Sequence, residues 1–149
     1  MNLPRYLTCI KGESGISCTG KQLSAILDLI YQDNKNIIWY GADITTNSVF
    51  PTYLNSSIPN RIGDIKDLKL LIQNVEQFLS GVFLGFIRDQ NIVMNQIFFT
   101  EDKRFRDISE AYFEIRAFDT SYFEIYSNDN KILQHIAKHF STIIICSSP

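Results

Sequence analysis

Residues 111–128, AYFEIRAFDTSYFEIYSN, decide the fold of this chain. Apolar and polar residues alternate strictly along two segments that flank a short polar turn, and this pattern predicts a β-hairpin. One face of each predicted strand is apolar and belongs in a core. The positions on that face are Phe113, Ile115, Ala117, Phe123 and Ile125.

The length of the turn follows from the pairing that brings the two apolar faces together. A two-residue loop would place Ile115 opposite Glu124 and would mix core with solvent. A three-residue loop at 119–121 places Ile115 opposite Ile125 and Arg116 opposite Glu124. Because a slip of one residue exchanges the two faces of a strand, the sequence predicts the three-residue loop.

The opposite face of the hairpin carries aromatic and charged side chains, and we expect it to face water. Solvated carboxylates paired with an arginine stay ionised and make poor general acids, so this face predicts no catalysis. It is either an ordinary wet sheet face or a protein-binding face, and tyrosine and arginine favour the second reading. Its members are Tyr112, Glu114, Arg116, Phe118, Tyr122, Glu124 and Tyr126.

The rest of the chain alternates helical and extended patterns. Helices are predicted after a cap at Thr19 and up to the polar segment 33–36, from Asp64 to Leu79 and from Asp129 to Phe140, on apolar positions spaced three and four apart. Strands are predicted at 5–11, 37–44, 82–88, 92–99 and 142–146, and 45–63 is predicted to be a long irregular connection. The order β-α-β-α-β-β-β-β-α-β predicts one α+β domain over residues 1–149, a mostly antiparallel sheet with about three helices packed on it.

Composition and charge narrow the function classes. Hydrophobic residues are 45% and charged residues 20% of the 149, which is typical of a globular domain and not of a disordered one. The net charge of −2 argues against nucleic acid as a partner. No apolar run approaches the roughly 18 residues that cross a bilayer. Three widely spaced cysteines predict thiols in a reducing compartment, so we expect a cytoplasmic protein without a membrane contact.

Two short motifs resemble parts of a phosphate site and of a metal site, and neither is complete. Residues 15–21 fit the phosphate-loop pattern G-x4-G-K, but Gln22 occupies the position where a hydroxyl must hold magnesium. His135 and His139 are spaced like metal ligands on a helix, yet no third ligand accompanies them. The sequence therefore predicts no cofactor, no metal and no catalytic residue.

A second region of interest is the strand at 37–44. Trp39 and Tyr40 lie on opposite faces of it, so we expect Trp39 in the core and Tyr40 at the surface. Asp43 is predicted to lie where this strand ends.

Three segments of the chain resemble bacterial immunity proteins of polymorphic toxin systems, including those of contact-dependent growth inhibition. They are IIWYGADI at 37–44, VEQFLSGVFLGF at 75–86 and AFDTSYFEIYSNDNKILQHIAKHF at 117–140. The resemblance implies a small cytoplasmic single-domain inhibitor that neutralises one cognate toxin domain, frequently a nuclease. It also implies that no residue is catalytic.

If the resemblance holds, an acidic and aromatic surface should cover the basic active-site cleft of the toxin. The expected toxin-binding residues are Tyr112, Glu114, Asp119, Tyr122 and Glu124, with Tyr40 and Asp43 as a second group. Two alternatives stay open: a small-molecule-binding or enzymatic domain with a site under the 45–63 connection, and a structural homodimer that uses the hairpin face.

Overall fold

The structure, a computed structural model, describes residues 6–10, 16–33, 36–88, 97–100, 111–118, 120–140 and 143–146. The strands are β1 Tyr6–Ile10, β2 Ile37–Thr46, β3 Asn60–Gly63, β4 Phe78–Ile87, β5 Phe113–Phe118, β6 Tyr122–Ser127 and β7 Ile143–Cys146. The helices are α1 Gly20–Asp33, α2 Ile65–Ile72 and α3 Asn130–His139, and a short 3-10 turn spans Thr52–Asn55.

The strands of these residues form one antiparallel sheet in the order β3-β2-β4-β5-β6-β1-β7. The predicted fold class is confirmed: the described residues form a single α+β domain with three helices and an antiparallel sheet, and the predicted elements that they contain follow in the predicted order. Strand β3 is an addition, because 60–63 was predicted to be part of an irregular connection. The predicted strand at 92–99 lies mostly outside the described residues, and residues 97–99 are not in a strand.

The hairpin of β5 and β6 has the predicted register. Ile115 lies opposite Ile125 and Arg116 lies opposite Glu124, as a three-residue loop requires. The N–H of Ser121 donates to the carbonyl of Phe118 at 2.7 Å and closes the turn. The pairing of β5 with β6 that the alternation of apolar and polar residues predicted is therefore confirmed.

The three helices pack on one face of the sheet, which we call the helix side. The core between them contains the predicted apolar positions of β5 and β6 together with Trp39, which is fully buried as expected. The ring of Trp39 stacks on Phe113 with centroids 6.3 Å apart. Since helices α1 and α3 pack against each other and α1 against α2, this layer is continuous.

Helix α2 begins as predicted and ends early. Asp64 caps it: its carboxylate accepts from the N–H of Asp67 at 3.0 Å, while the Asp67 carboxylate accepts from the Asp64 N–H at 3.1 Å. The hydrogen bond from the Asp67 N–H lowers the pKa of Asp64. The predicted extension to Leu79 is wrong, because the helix ends at Ile72 and Phe78 already lies in β4, where its buried ring packs edge-to-face on Phe83.

The 45–63 connection is more ordered than its composition indicated. Strand β2 continues to Thr46, and Leu54 of the 3-10 turn is fully buried in the helix-side core. The side-chain amide of Asn55 donates to the carbonyl of Ile44 at 3.2 Å. A Cβ on Gly41 would lie 3.1 Å from the side chain of Ile62 and 3.3 Å from that of Leu54, so the connection packs tightly against β2.

The opposite face of the sheet, which we call the second face, is also buried. An apolar cluster covers its β2–β4 region and consists of Ala42, Val82, Leu84, Phe86, Phe98 and Ala111, with Tyr40 packed against it. An aromatic cluster covers its β5–β6 region and consists of Phe118, Tyr122 and Tyr126. Three charged side chains, Glu114, Arg116 and Glu124, lie on this face of the hairpin strands and are also buried.

Candidate binding surface

The prediction that the second face of the hairpin is open to water is wrong. Glu114, Arg116 and Glu124 have no exposed surface, and Tyr122 is only 5% exposed. These side chains continue a buried face of the sheet, since Val82 of a buried apolar cluster lies directly opposite Arg116. As the protein is folded, these side chains are not available to a partner at the surface.

Two of the buried charged side chains on the second face, Arg116 and Glu114, form an ion pair. Arg116 donates from Nε to Oε2 of Glu114 at 2.6 Å, and its Nη2 lies 2.6 Å from the same oxygen. The guanidinium carbon lies 5.6 Å from the centre of the Tyr126 ring, which is in the range of a cation–π contact. This arrangement stabilises the fold and leaves no carboxylate of the set at the surface.

Tyr112 was predicted to share a face with Glu114, and this is wrong. Because Tyr112 precedes the first residue of β5, it does not follow the strand alternation, and its ring packs edge-to-face on Phe113 at 5.0 Å, on the helix side. Its hydroxyl donates to Oδ2 of Asp129 at 3.2 Å. Burial of the ring and the neighbouring Asp129 carboxylate raise the pKa of the Tyr112 hydroxyl.

Of the other predicted site residues, Asp119 lies outside the described residues. Tyr40 is half-buried and contacts the ring of Phe86 edge-to-face at 5.7 Å. Arg61 of β3 lies opposite Tyr40 in the register and is exposed. Tyr40 is therefore less exposed than predicted, but it lies next to the edge of the sheet.

Asp43 does not end its strand; it forms a bulge inside it. The pairing of β2 with β4 shifts between Ala42 and Thr45, and Asp43 has a φ of 53°. Its backbone N–H donates to the carbonyl of Ser56 at 2.9 Å, and its carbonyl accepts from the hydroxyl of Ser80 at 2.8 Å. A bulge redirects side chains, and here it turns the carboxylate of Asp43 toward Thr100.

Residues 97–100 form a short strap that hydrogen bonds fix to strands β2 and β4 at Thr100 and to the 45–63 connection at Phe98. The N–H of Thr100 donates to Oδ2 of Asp43 at 2.7 Å, and the Thr100 hydroxyl accepts from the N–H of Gly81 at 2.8 Å. The N–H of Phe98 donates to the carbonyl of Ser57 at 2.7 Å. Phe98 is buried in the apolar cluster of the second face.

The neighbours of Phe98 in the strap point outward. Ile97 is 55% and Phe99 49% exposed. The adjoining segment adds Tyr53, 54% exposed, and Ile58, 46% exposed, whose carbonyls both accept from the side-chain amide of Asn60. We call Tyr53, Ile58, Ile97 and Phe99 the apolar patch.

Sequence reasoning missed the apolar patch. Its members come from two segments, 45–63 and 92–99, which were predicted to be an irregular connection and a strand. The available signal was the run IFF at 97–99, which is too apolar for an exposed loop. The two segments are joined by the hydrogen bond from the Phe98 N–H to the Ser57 carbonyl, which links residues far apart in the sequence.

The helix N-terminus at the G-x4-G-K pattern is occupied by the protein itself. The N–H of Gly20 donates to the carbonyl of Val75 at 3.0 Å, and the N–H of Cys18 donates to the side chain of Gln22 at 3.0 Å. These N–H groups are therefore not directed at a phosphate.

The described residues contain neither a metal-binding cluster nor a membrane-spanning helix. Among the residues that the structure describes, no group of three or more His, Cys, Asp or Glu side chains is placed to hold a metal ion. None of the helices in these residues has the length and apolar character needed to cross a membrane.

Comparison with known proteins gave no match. No protein-family model matches the sequence, and neither the curated proteins nor the solved structures contain a significant match.

Proposed function

We propose that this protein acts by binding another protein, and that its partner is a toxin domain that it neutralises. The observation that supports binding is the apolar patch, in which four large side chains are about half exposed on two segments joined by the Phe98–Ser57 hydrogen bond. Exposed apolar patches mark interaction sites in soluble proteins. The support for a toxin as the partner is the resemblance of segments within 37–140 to immunity proteins.

The patch has the composition of an interface centre. Tyrosine and phenylalanine are enriched where binding energy concentrates, because each ring buries a large area with few rotatable bonds. Complete burial of such a side chain contributes roughly 1.5–3 kcal/mol. The hydrogen bonds of Asn60 and Phe98 hold the patch segments in place before binding, which lowers the entropy lost on association.

The proposed contact residues differ from those expected from sequence. Tyr53 and Phe99 form the centre with Ile58 and Ile97, and Tyr40 and Arg61 lie at the adjacent sheet edge. The buried carboxylates of the hairpin do not contact the toxin in this proposal. The patch covers the active site or substrate cleft of the toxin and excludes its substrate.

The alternative of a small-molecule or enzymatic site under the 45–63 connection has less support. Leu54 fills the space beneath that connection, and Gly41 has no room for a Cβ. A homodimer formed through the apolar patch is a separate alternative. Light scattering of the purified chain distinguishes it, because a dimer of about twice 17.2 kDa would occupy the patch.

The test is to read the genes that flank the one for this chain and to measure protection of cells that express a toxin-like domain found there. Wild-type protein should restore growth, and the double variant Tyr53→Ala/Phe99→Ala should not. Leu70→Ala is the matched control, since Leu70 is equally apolar and 65% exposed but lies on α2. Absence of a neighbouring toxin domain, or full protection by the double variant, would contradict the proposal.

A further inference from the structure

We propose that Asp43 is a positioning residue for the apolar patch: its carboxylate holds the strap at 97–100 so that Ile97 and Phe99 face the partner. This inference rests on the proposed function of the patch. Asp43 does not itself contact the partner, because its carboxylate is already engaged by the N–H of Thr100.

The first argument is the backbone of Asp43. A φ of 53° is unfavourable for a residue with a side chain, and aspartate and asparagine tolerate it better than others. The bulge that requires it also frees the N–H of Gly81, which then donates to the hydroxyl of Thr100. Both strands at the bulge therefore anchor the same residue of the strap.

The second argument is the alternation within the strap. Phe98 is buried while Ile97 and Phe99 are half exposed, as in an extended segment. Anchoring the N–H groups of Phe98 and Thr100 therefore fixes the direction of Phe99, the residue between them. Loss of the Asp43 carboxylate leaves Thr100 with only its hydroxyl bond to the Gly81 N–H, so the backbone N–H that follows Phe99 is no longer fixed.

Two substitutions separate the hydrogen bond from the backbone strain. Asp43→Gly keeps the left-handed backbone at no steric cost and removes the acceptor. Asp43→Asn keeps both, because its amide oxygen can accept from Thr100. A difference between these variants therefore measures the contact with the strap and not the conformation of the bulge.

The first measurement is amide hydrogen exchange of the purified chain, which needs no partner. In Asp43→Gly the amide of Thr100 should exchange at least about tenfold faster, while the amides of helix α1 keep their protection. Asp43→Asn should behave as wild type. Unchanged exchange at Thr100, or an equal increase throughout α1, would overturn the inference.

The second measurement is a double-mutant cycle on toxin binding. Asp43→Gly should weaken binding about tenfold in the wild-type background and have little further effect in a Phe99→Ala background, because it acts through Phe99. Additive effects would overturn the positioning role. If Phe99→Ala binds like wild type, the proposed surface fails, whereas the exchange measurement still decides whether Asp43 holds the strap.

Discussion

Arg116 and Glu114 form an ion pair in which both side chains are completely shielded from solvent. The Nη2 atom of Arg116 lies 2.6 Å from Oε2 of Glu114 on the second face of the sheet. Removing one partner of a buried ion pair strongly lowers the free energy of unfolding, because the remaining charge stays desolvated. This loss is much larger than the stability that the pair adds relative to apolar residues in its place.

We expect Arg116→Met to lower the free energy of unfolding by about 3–5 kcal/mol, because it takes the ion pair from the buried Glu114 carboxylate. Urea denaturation measures this change. Arg88→Met, at an exposed arginine just after β4, should change the stability by less than about 0.5 kcal/mol. A loss of under about 1 kcal/mol in Arg116→Met would contradict the shielded position of the pair.

Thr120→Gly should stabilise the hairpin. Thr120 has a φ of 60°, which is costly for a β-branched residue and free of steric cost for glycine. After allowing for the greater freedom of glycine in the unfolded chain, we expect a gain of about 0.5–1 kcal/mol in thermal or urea denaturation. Thr120→Ala is the control and should gain little, since alanine retains the Cβ; an equal gain from both variants would count against strain at this residue.

Gly20→Ala should destabilise the protein although alanine favours helices. A Cβ at Gly20 would lie 2.3 Å from the carbonyl oxygen of Ile72 and 2.6 Å from that of Val75. Overpacking against fixed backbone costs about 1–3 kcal/mol, which exceeds the helix-propensity gain of about 1 kcal/mol. Lys21→Ala at the next, exposed position should be nearly neutral, and stabilisation by Gly20→Ala would show that the α1–α2 contact is looser than described.

Tyr112→Phe should reduce the loss of stability at alkaline pH. The pKa of Tyr112 is raised above its ordinary value of 10.0 by burial and by Asp129, so above about pH 10 the folded state keeps a proton that the unfolded state has lost. The stabilisation is therefore present below pH 10 and is lost as the pH rises through the folded-state pKa.

The measurement is the free energy of unfolding from pH 8 to pH 11. Wild-type stability should fall more steeply above pH 10 than that of Tyr112→Phe. At pH 8 the variant should lose about 1 kcal/mol with its hydrogen bond to Asp129. Parallel curves for the two proteins would contradict the shift.

The hairpin was predictable because local patterns determine it. Alternation over 111–128 gave the strands, and the match between Ile115 and Ile125 gave the loop length. The helix starts at Asp64 and Asp129 were predictable for the same reason. Each carboxylate accepts a hydrogen bond from the N–H three residues later, so the signal lies within a few residues of sequence.

The burial of the second face could not be read from the hairpin alone. Glutamate and arginine at alternating positions normally indicate solvent, and only the partners across the sheet decide otherwise. The useful signal lay in β4, where Val82, Leu84 and Phe83 make both faces apolar and predict a cover on each side. Since β5 pairs with β4, that cover extends over Glu114 and Arg116.

The apolar patch was not predictable because it is assembled from distant segments. One backbone hydrogen bond from Phe98 to Ser57 and the bulge at Asp43 place its segments, and neither has a sequence signature. Asp43 was predicted to be a contact residue, and its position instead indicates a supporting role.

Calorimetric titration of the neighbouring toxin domain with the purified chain tests the central claim most directly. Wild type and Leu70→Ala should bind with the same Kd, and Phe99→Ala should bind at least about tenfold more weakly. Equal Kd values for Phe99→Ala and wild type, or no binding of the wild-type chain, would contradict the claim that the apolar patch engages a toxin.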